Sequence, residues 1–135
     1  GGTGKTCLYI RFVCKEFPEE YIPTVFDNYT QPFLMGGHEV QLELWDTARS
    51  EWDRLQFLSY PGTDVFLVCF SLSQGSLTLD NLKRYLEDIT HFCPQTPCIF
   101  VGCKVDLRDD EEIQKKIGDH NGEPITYEMG MMLAE

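Results

Sequence analysis

Two apolar runs without alternation, residues 65–70 (Val-Phe-Leu-Val-Cys-Phe) and residues 98–101 (Cys-Ile-Phe-Val), constrain the fold of this chain more than any other feature. A strand with one wet face alternates apolar and polar residues, whereas a strand covered on both faces of a parallel sheet has no reason to. Parallel neighbours cannot be joined by a tight hairpin and need a crossover of a dozen or more residues. Between the two runs Leu79, Leu82, Leu86 and Ile89 recur at helical spacing in an otherwise polar stretch, which supplies that crossover as a helix. The chain is therefore expected to be α/β, with a doubly wound, mostly parallel sheet.

The remaining elements fit around this unit. A helix is expected over residues 5–14, with Leu8, Phe12 and Val13 on its apolar positions, followed by a loop rich in turn residues. Residues 29–34 and 39–45 read as the arms of a hairpin around Met35-Gly36-Gly37-His38. In the second arm Val40, Leu42 and Leu44 alternate with Glu39, Gln41 and Glu43, so one face is expected buried and the other wet. A short charged helix is expected over residues 109–116, ended by Gly118, and Thr126 can cap a last helix carrying Met129, Met132 and Leu133. At 135 residues one domain is the natural size, and no apolar run reaches membrane-spanning length. The formal net charge of −11 opposes nonspecific nucleic-acid binding, which needs Lys and Arg to displace counterions. The six cysteines lie in apolar segments without CxxC spacing and read as reduced thiols of a cytosolic protein.

Open α/β sheets bind ligands beyond the carboxyl ends of their strands, and the chemistry-bearing residues fall there. Gly1-Gly2-Thr3-Gly4-Lys5-Thr6 is the back half of a phosphate-binding loop opening the first helix. Its glycines let backbone N–H groups approach phosphate oxygens, Lys5 adds a point charge at the β- and γ-phosphates, and Thr6 offers a hydroxyl to Mg²⁺. Taken alone, the motif is also compatible with a glycine-rich helix start that binds nothing. Asp46, after the hairpin, is placed to hold Mg²⁺ through water opposite Thr6. After the strand ending near Val101, Asp106 can accept both N–H donors on the edge of guanine while the Lys104 stem packs along the base. Adenine lacks that paired donor edge. Each acid singly is an ordinary strand-end residue; two of them in this order behind a phosphate loop are not.

These residues carry a resemblance to the Rho family of small GTPases over nearly the whole chain. Tyr21-Ile22-Pro23-Thr24-Val25-Phe26-Asp27-Asn28-Tyr29 resembles the first switch. Trp45-Asp46-Thr47-Ala48, with Asp53-Arg54-Leu55 and Leu58-Ser59-Tyr60-Pro61, resembles the second. Val101-Gly102-Cys103-Lys104-Val105-Asp106-Leu107-Arg108-Asp109-Asp110 resembles the base-recognition stretch, and the segment of about residues 110–124 has the length of the Rho insert. The resemblance implies a partial small-GTPase G domain over residues 1–135 that binds GTP or GDP with Mg²⁺. It implies nucleotide contacts from Gly1 to Cys7 and from Phe17, Tyr21, Thr24, Asp46, Cys103, Lys104, Asp106 and Leu107. Thr6, Thr24 and Asp46 would serve the metal, and Lys5 and Thr24 the hydrolysis of GTP. Phe17 is equally readable as a loop hydrophobe tucked onto the core.

The same resemblance implies partners: exchange factors, GAPs, dissociation inhibitors and effectors, meeting the chain through residues 21–29 and 45–60. It implies control of the actin cytoskeleton, a cytoplasmic location extending to the cytosolic face of membranes, and membrane attachment only through a C-terminal lipid anchor not present here. It further implies that the family's first strand and its C-terminal strand and helix lie outside these residues, so that the segment alone folds poorly. One departure stands out. The family has Gly-Gln-Glu after Asp-Thr-Ala, and this chain has Arg49-Ser50-Glu51 with one residue fewer before Asp53. The glycine N–H normally meets the γ-phosphate and the glutamine orients the attacking water. Ser50 is too short and Arg49 is no substitute, so hydrolysis is expected to be crippled. Three readings follow: a GTP-hydrolysing switch, a GTP-binding interaction module that barely hydrolyses, as in the Rnd branch, or a degenerate fragment.

Overall fold

The computed structural model describes residues 2–20, 27–47 and 57–134. These form two compact units, one running over residues 5–59 and the other joining residues 2–4 to residues 60–135. In the first unit, α1 spans Lys5–Cys14 and is followed by the antiparallel strands β1 (Asp27–Met35) and β2 (His38–Asp46) around the two-residue turn Gly36-Gly37. The hairpin is longer than its sequence pattern by one or two residues at each end, because backbone pairing continues past the last alternating side chains. Register pairs Phe33 with Val40, Gln31 with Leu42 and Tyr29 with Leu44. Period-two alternation along β2 leaves Gln41, Glu43 and Trp45 exposed while Leu42 and Leu44 are half-buried and Asp46 is buried. The covered face fades toward the turn, where Val40 is exposed. Asp46 is thus buried because it continues the apolar face of its strand, the face that sequence alternation assigned to the interior.

In the second unit, β3 (Phe66–Ser71) and β4 (Cys98–Cys103) pair in parallel, with α2 (Leu79–Phe92) in the crossover between them. This is the α/β arrangement with a parallel sheet that the apolar runs specify. Leu82 and Ile89 of α2 are buried, and Leu79 and Leu86 are half-covered. Val68 and Phe70 are buried on the same face of β3 as Phe66, whose ring meets Tyr60 edge-on with centroids 5.0 Å apart. The expectation that both faces are covered does not hold. Leu67 and its register partner Ile99 are 47% and 52% exposed on the opposite face. An apolar run without alternation permits a strand to be covered twice, but it does not supply the covering element. The described strands form two two-stranded sheets, β1–β2 and β3–β4.

A 3₁₀ turn over Leu72–Thr78 follows β3, and α3 (Glu111–Asp119) packs on it. The helix starts two residues later than the charge pattern suggests, because Asp110 caps it: its carboxylate accepts from Ile113 N at 3.0 Å, a contribution of about 1 kcal/mol. Ile117 is buried, Ser76 N donates to Glu123 O at 2.7 Å, and Glu123 N donates to Ser76 Oγ at 2.9 Å. The charged segment is therefore clamped to the turn at both its helix and its exit. Finally α4 spans Tyr127–Ala134, with Thr126 Oγ1 accepting from Met129 N at 3.2 Å, the cap that Thr126 suggests. No helix among the described residues is long and apolar enough to cross a membrane.

Candidate functional site

In the first unit the candidate site is built on the start of α1 and the end of β2. Lys5 is the first residue of α1, Asp46 the last of β2, and the Lys5 ammonium forms an ion pair with the Asp46 carboxylate. The aspartate side chain is 2% exposed and that of the lysine 32%. A carboxylate at that depth is costly unless it is paired, and Lys5 supplies an opposite charge. The sequence places both residues at the ligand end of the fold, but the direct pairing of the phosphate-loop lysine with the candidate metal carboxylate is a finding of the structure. Thr6 and Cys7 follow on the first turn of α1, each half-buried. Phe17, beyond the helix, is 69% exposed, so its ring is not tucked onto a core.

Whether these residues suit Mg²⁺ can be judged from their chemistry. Mg²⁺ keeps several waters and is usually held by one or two carboxylates together with substrate phosphates, not by an all-protein cage. The buried Asp46 carboxylate and the Thr6 hydroxyl are such a minimal set. Among the described residues no group of three or more His, Cys, Asp or Glu is placed to hold a metal by itself.

In the second unit the candidate residues gather at the carboxyl end of β4. Gly4 has φ 105°, and a Cβ there would lie 3.2 Å from Cys103 Cβ and 3.6 Å from its Sγ. Only glycine combines that backbone conformation with so close an approach. The phosphate loop therefore rests its fourth residue directly on the cysteine that opens the base-recognition stretch. Cys69 of β3 lies on the same sheet face, and its thiol donates to the Cys103 sulfur. With Lys104 adding a positive charge, this bond lowers the Cys103 pKa to about 7, against the opposing effect of partial burial. Neither composition nor spacing singles out Cys69; only the strand register brings it under the loop.

Lys104 adopts the left-handed conformation, φ 63° and ψ 43°, and a 3₁₀ turn over Val105–Leu107 follows it. A non-glycine residue there is uncommon and costs about 1–2 kcal/mol, and such strain concentrates at binding sites. The turn is held by Leu107 N donating to Lys104 O at 3.1 Å and Arg108 N to Val105 O at 3.2 Å. Lys104 and Asp106 are exposed beyond the strand end and Leu107 is half-buried, so the two polar residues remain open to a ligand. Gly2 is exposed and Thr3 half-buried. Gly1, Tyr21, Thr24, Arg49 and Ser50 lie outside the described residues.

A lysine opening a helix on a buried strand-end carboxylate in the first unit, and an exposed Lys-x-Asp turn after a parallel strand in the second, are each local features found at strand ends of ligand-binding α/β proteins. The sequence matches the family model described as the Ras family over residues 1–135. The chain belongs to the Ras family. Ras-family proteins are GTP-binding signalling switches, which bind guanine nucleotides and work through regulators and effectors. Within this Ras-family chain, the pairing of Lys5 with Asp46 and the seating of Gly4 on Cys103 are the local geometries that bear on that chemistry.

Proposed function

We propose that this Ras-family protein is a Rho-type guanine-nucleotide switch that holds GTP with Mg²⁺ and cleaves it poorly. The observation that carries the nucleotide reading is the Lys5–Asp46 ion pair, which brings the phosphate-binding cation and the metal-side carboxylate to one point. The Rho assignment rests on the quoted switch motifs and on the insert of about residues 110–124, the segment built around α3.

Lys5 leaves Asp46 for a phosphate oxygen as the nucleotide enters, so one ion pair is exchanged for another. Bound Mg²⁺ would neutralise charge on the β- and γ-phosphates, held by the Thr6 hydroxyl and by Asp46 through water, with Thr24 joining when a γ-phosphate is present. The N-terminus of α1 adds its positive end to the same anion. The exposed carboxylate of Asp106 accepts the paired donors of guanine, and the Lys104 stem lies along the base. Effectors and regulators would meet residues 21–29 and 45–60, among which Trp45 is 47% exposed. A cytoplasmic protein acting on the actin cytoskeleton from the cytosolic face of membranes is the corresponding cellular reading.

Arg49-Ser50 is the specific observation favouring weak hydrolysis. Without glutamine the attacking water lacks its orienting amide, and without glycine a backbone donor to the γ-phosphate is impaired. Restoring glycine and glutamine with Arg49→Gly and Ser50→Gln is expected to raise single-turnover GTP hydrolysis by about tenfold or more. A Rho GAP domain should accelerate the restored protein and leave the original nearly unchanged. A GAP-stimulated burst from the original sequence would show that the switch hydrolyses normally, and no gain on restoration would refute the account of the defect.

A further inference from the structure

Within the second unit, the turn after β3, the first turn of α2 and the end of α3 frame an open cavity of about 320 Å³ that plays no part in the nucleotide reading. That size is at the lower end of the range for small-molecule sites, about 300–1,000 Å³. Gln74 and Thr78 line it from the turn, Asn81 from α2, Lys116 and Ile117 from α3, and His120 from the position that ends α3. Two observations give the cavity a chemistry. The sequence carries 22 acidic residues against 11 Lys and Arg, yet a lysine and a histidine line this cavity and no acid does. Thr78 is the second observation. It is 6% exposed and stands at the N-cap of α2, where a threonine hydroxyl ordinarily accepts from the helix backbone, and here it makes no cap bond. A buried hydroxyl is costly to leave without a partner, and the cavity is where a partner can enter. We infer that this cavity binds a small organic phosphate, its phosphomonoester held by Lys116, His120, Asn81 and Thr78 and its body resting on Ile117.

The donors decide the ligand class. Lysine offers donors and no acceptor, and the imidazole, the Asn81 amide and the Thr78 hydroxyl can each add a donor. Among the described residues the side chains of Asn81, Lys116 and His120 have no hydrogen-bond or ion-pair partner, so these donors are available to a ligand. A cation would find no carboxylate in this lining, and cations such as Mg²⁺ need one. A phosphomonoester presents three accepting oxygens to such a set where a carboxylate presents two, and lysine serves phosphate as a point charge without needing a planar fork. Inorganic phosphate alone would leave the apolar Ile117 side of the cavity uncovered, which is why an organic body is part of the inference. Ile117 is buried, so the ligand would rest on the residue that seats α3 against the turn. A ligand bridging both elements binds only the folded form and therefore stabilises it. None of this depends on the guanine-nucleotide reading.

The test follows the amide chemical shifts of the purified, nitrogen-labelled protein as glycerol 3-phosphate, inorganic phosphate or glycerol is added at pH 7. Glycerol 3-phosphate should shift residues 73–81 and 116–120, inorganic phosphate should bind there several-fold more weakly, and glycerol should leave them unmoved. Lys116→Gln should weaken glycerol 3-phosphate binding about tenfold. Thr78→Val keeps the shape and removes the hydroxyl, so it should weaken binding about fivefold. It should leave the melting temperature of the unliganded protein unchanged, because that hydroxyl caps nothing. Shifts confined to residues 2–7 would place the anion on the phosphate loop, and an equal response to glycerol would make the cavity an unselective crevice; either overturns the site. Absence of any shift with glycerol 3-phosphate at millimolar concentration, or undiminished binding in Lys116→Gln or Thr78→Val, overturns it as well. Inorganic phosphate binding as tightly as the ester would overturn the organic part of the assignment.

Discussion

Lys5→Met is expected to destabilise the protein by roughly 2–4 kcal/mol and to abolish nucleotide retention. Its partner Asp46 is buried, and removing the lysine takes the opposite charge away from a carboxylate inside the first unit. The estimate stays at the lower end for a broken buried pair because a third of the Lys5 side chain, 32%, is solvent-exposed. Burial also makes the pair asymmetric. Asp46→Leu frees a lysine that can reach water, so it should cost less than Lys5→Met. The double variant Lys5→Met/Asp46→Leu should recover most of the stability without recovering phosphate binding. Urea unfolding of the four proteins supplies the double-mutant cycle. Additive losses would mean that the two residues do not interact, and nucleotide retention by the double variant would mean that Lys5 is not the phosphate ligand.

Gly75→Ala is expected to cost about 3 kcal/mol or more, lowering the melting temperature by roughly 10 °C. Two independent effects add there. Gly75 has φ 61° and ψ −162°, a combination open essentially to glycine alone. A Cβ would also stand 2.5 Å from Ile117 Cγ2 and 2.6 Å from the Glu123 carbonyl oxygen, one of which is backbone and cannot swing aside. The clash falls on the clamp that fixes α3 to the turn after β3. Gly118→Ala, on the same helix and with open space around it, should be neutral or stabilising by up to about 1 kcal/mol. Thermal denaturation of both variants decides the matter: equal effects would remove the claim that Gly75 holds α3 in place.

The parts of this molecule that the sequence discloses are those governed by periodicity and by local chemistry. Leu79, Leu82, Leu86 and Ile89 disclose α2, since helical spacing and burial are the same fact seen twice. The alternation of Leu42 and Leu44 discloses the covered face of β2 and, carried two residues further, accounts for the burial of Asp46, whereas Val40 on the same face is exposed. Thr126 and the glycine pair at residues 36–37 disclose a cap and a turn because those conformations need those residues. Contacts between distant segments leave no such mark. Nothing local to Cys69 announces Cys103, and nothing local to Gly75 announces Ile117 or Glu123, because such pairings are fixed by register and docking. The exposure of Leu67 and Ile99 is of the same kind, since it depends on what lies over a sheet face and not on the strand itself. At the candidate site the residue types were legible, while the Lys5–Asp46 pairing and the left-handed Lys104 emerge only in the fold.

The most direct test of the guanine-nucleotide assignment is an equilibrium titration of the purified protein with GDP, GTP, ADP and ATP in the presence of Mg²⁺, repeated on Asp106→Ala. Guanine nucleotides should bind at least about 100-fold more tightly than adenine nucleotides, because adenine offers the Asp106 carboxylate no paired donors and leaves it unmatched. Asp106→Ala should erase that preference while the protein stays folded. Equal affinity for GTP and ATP, or a guanine preference that survives Asp106→Ala, would contradict the assignment.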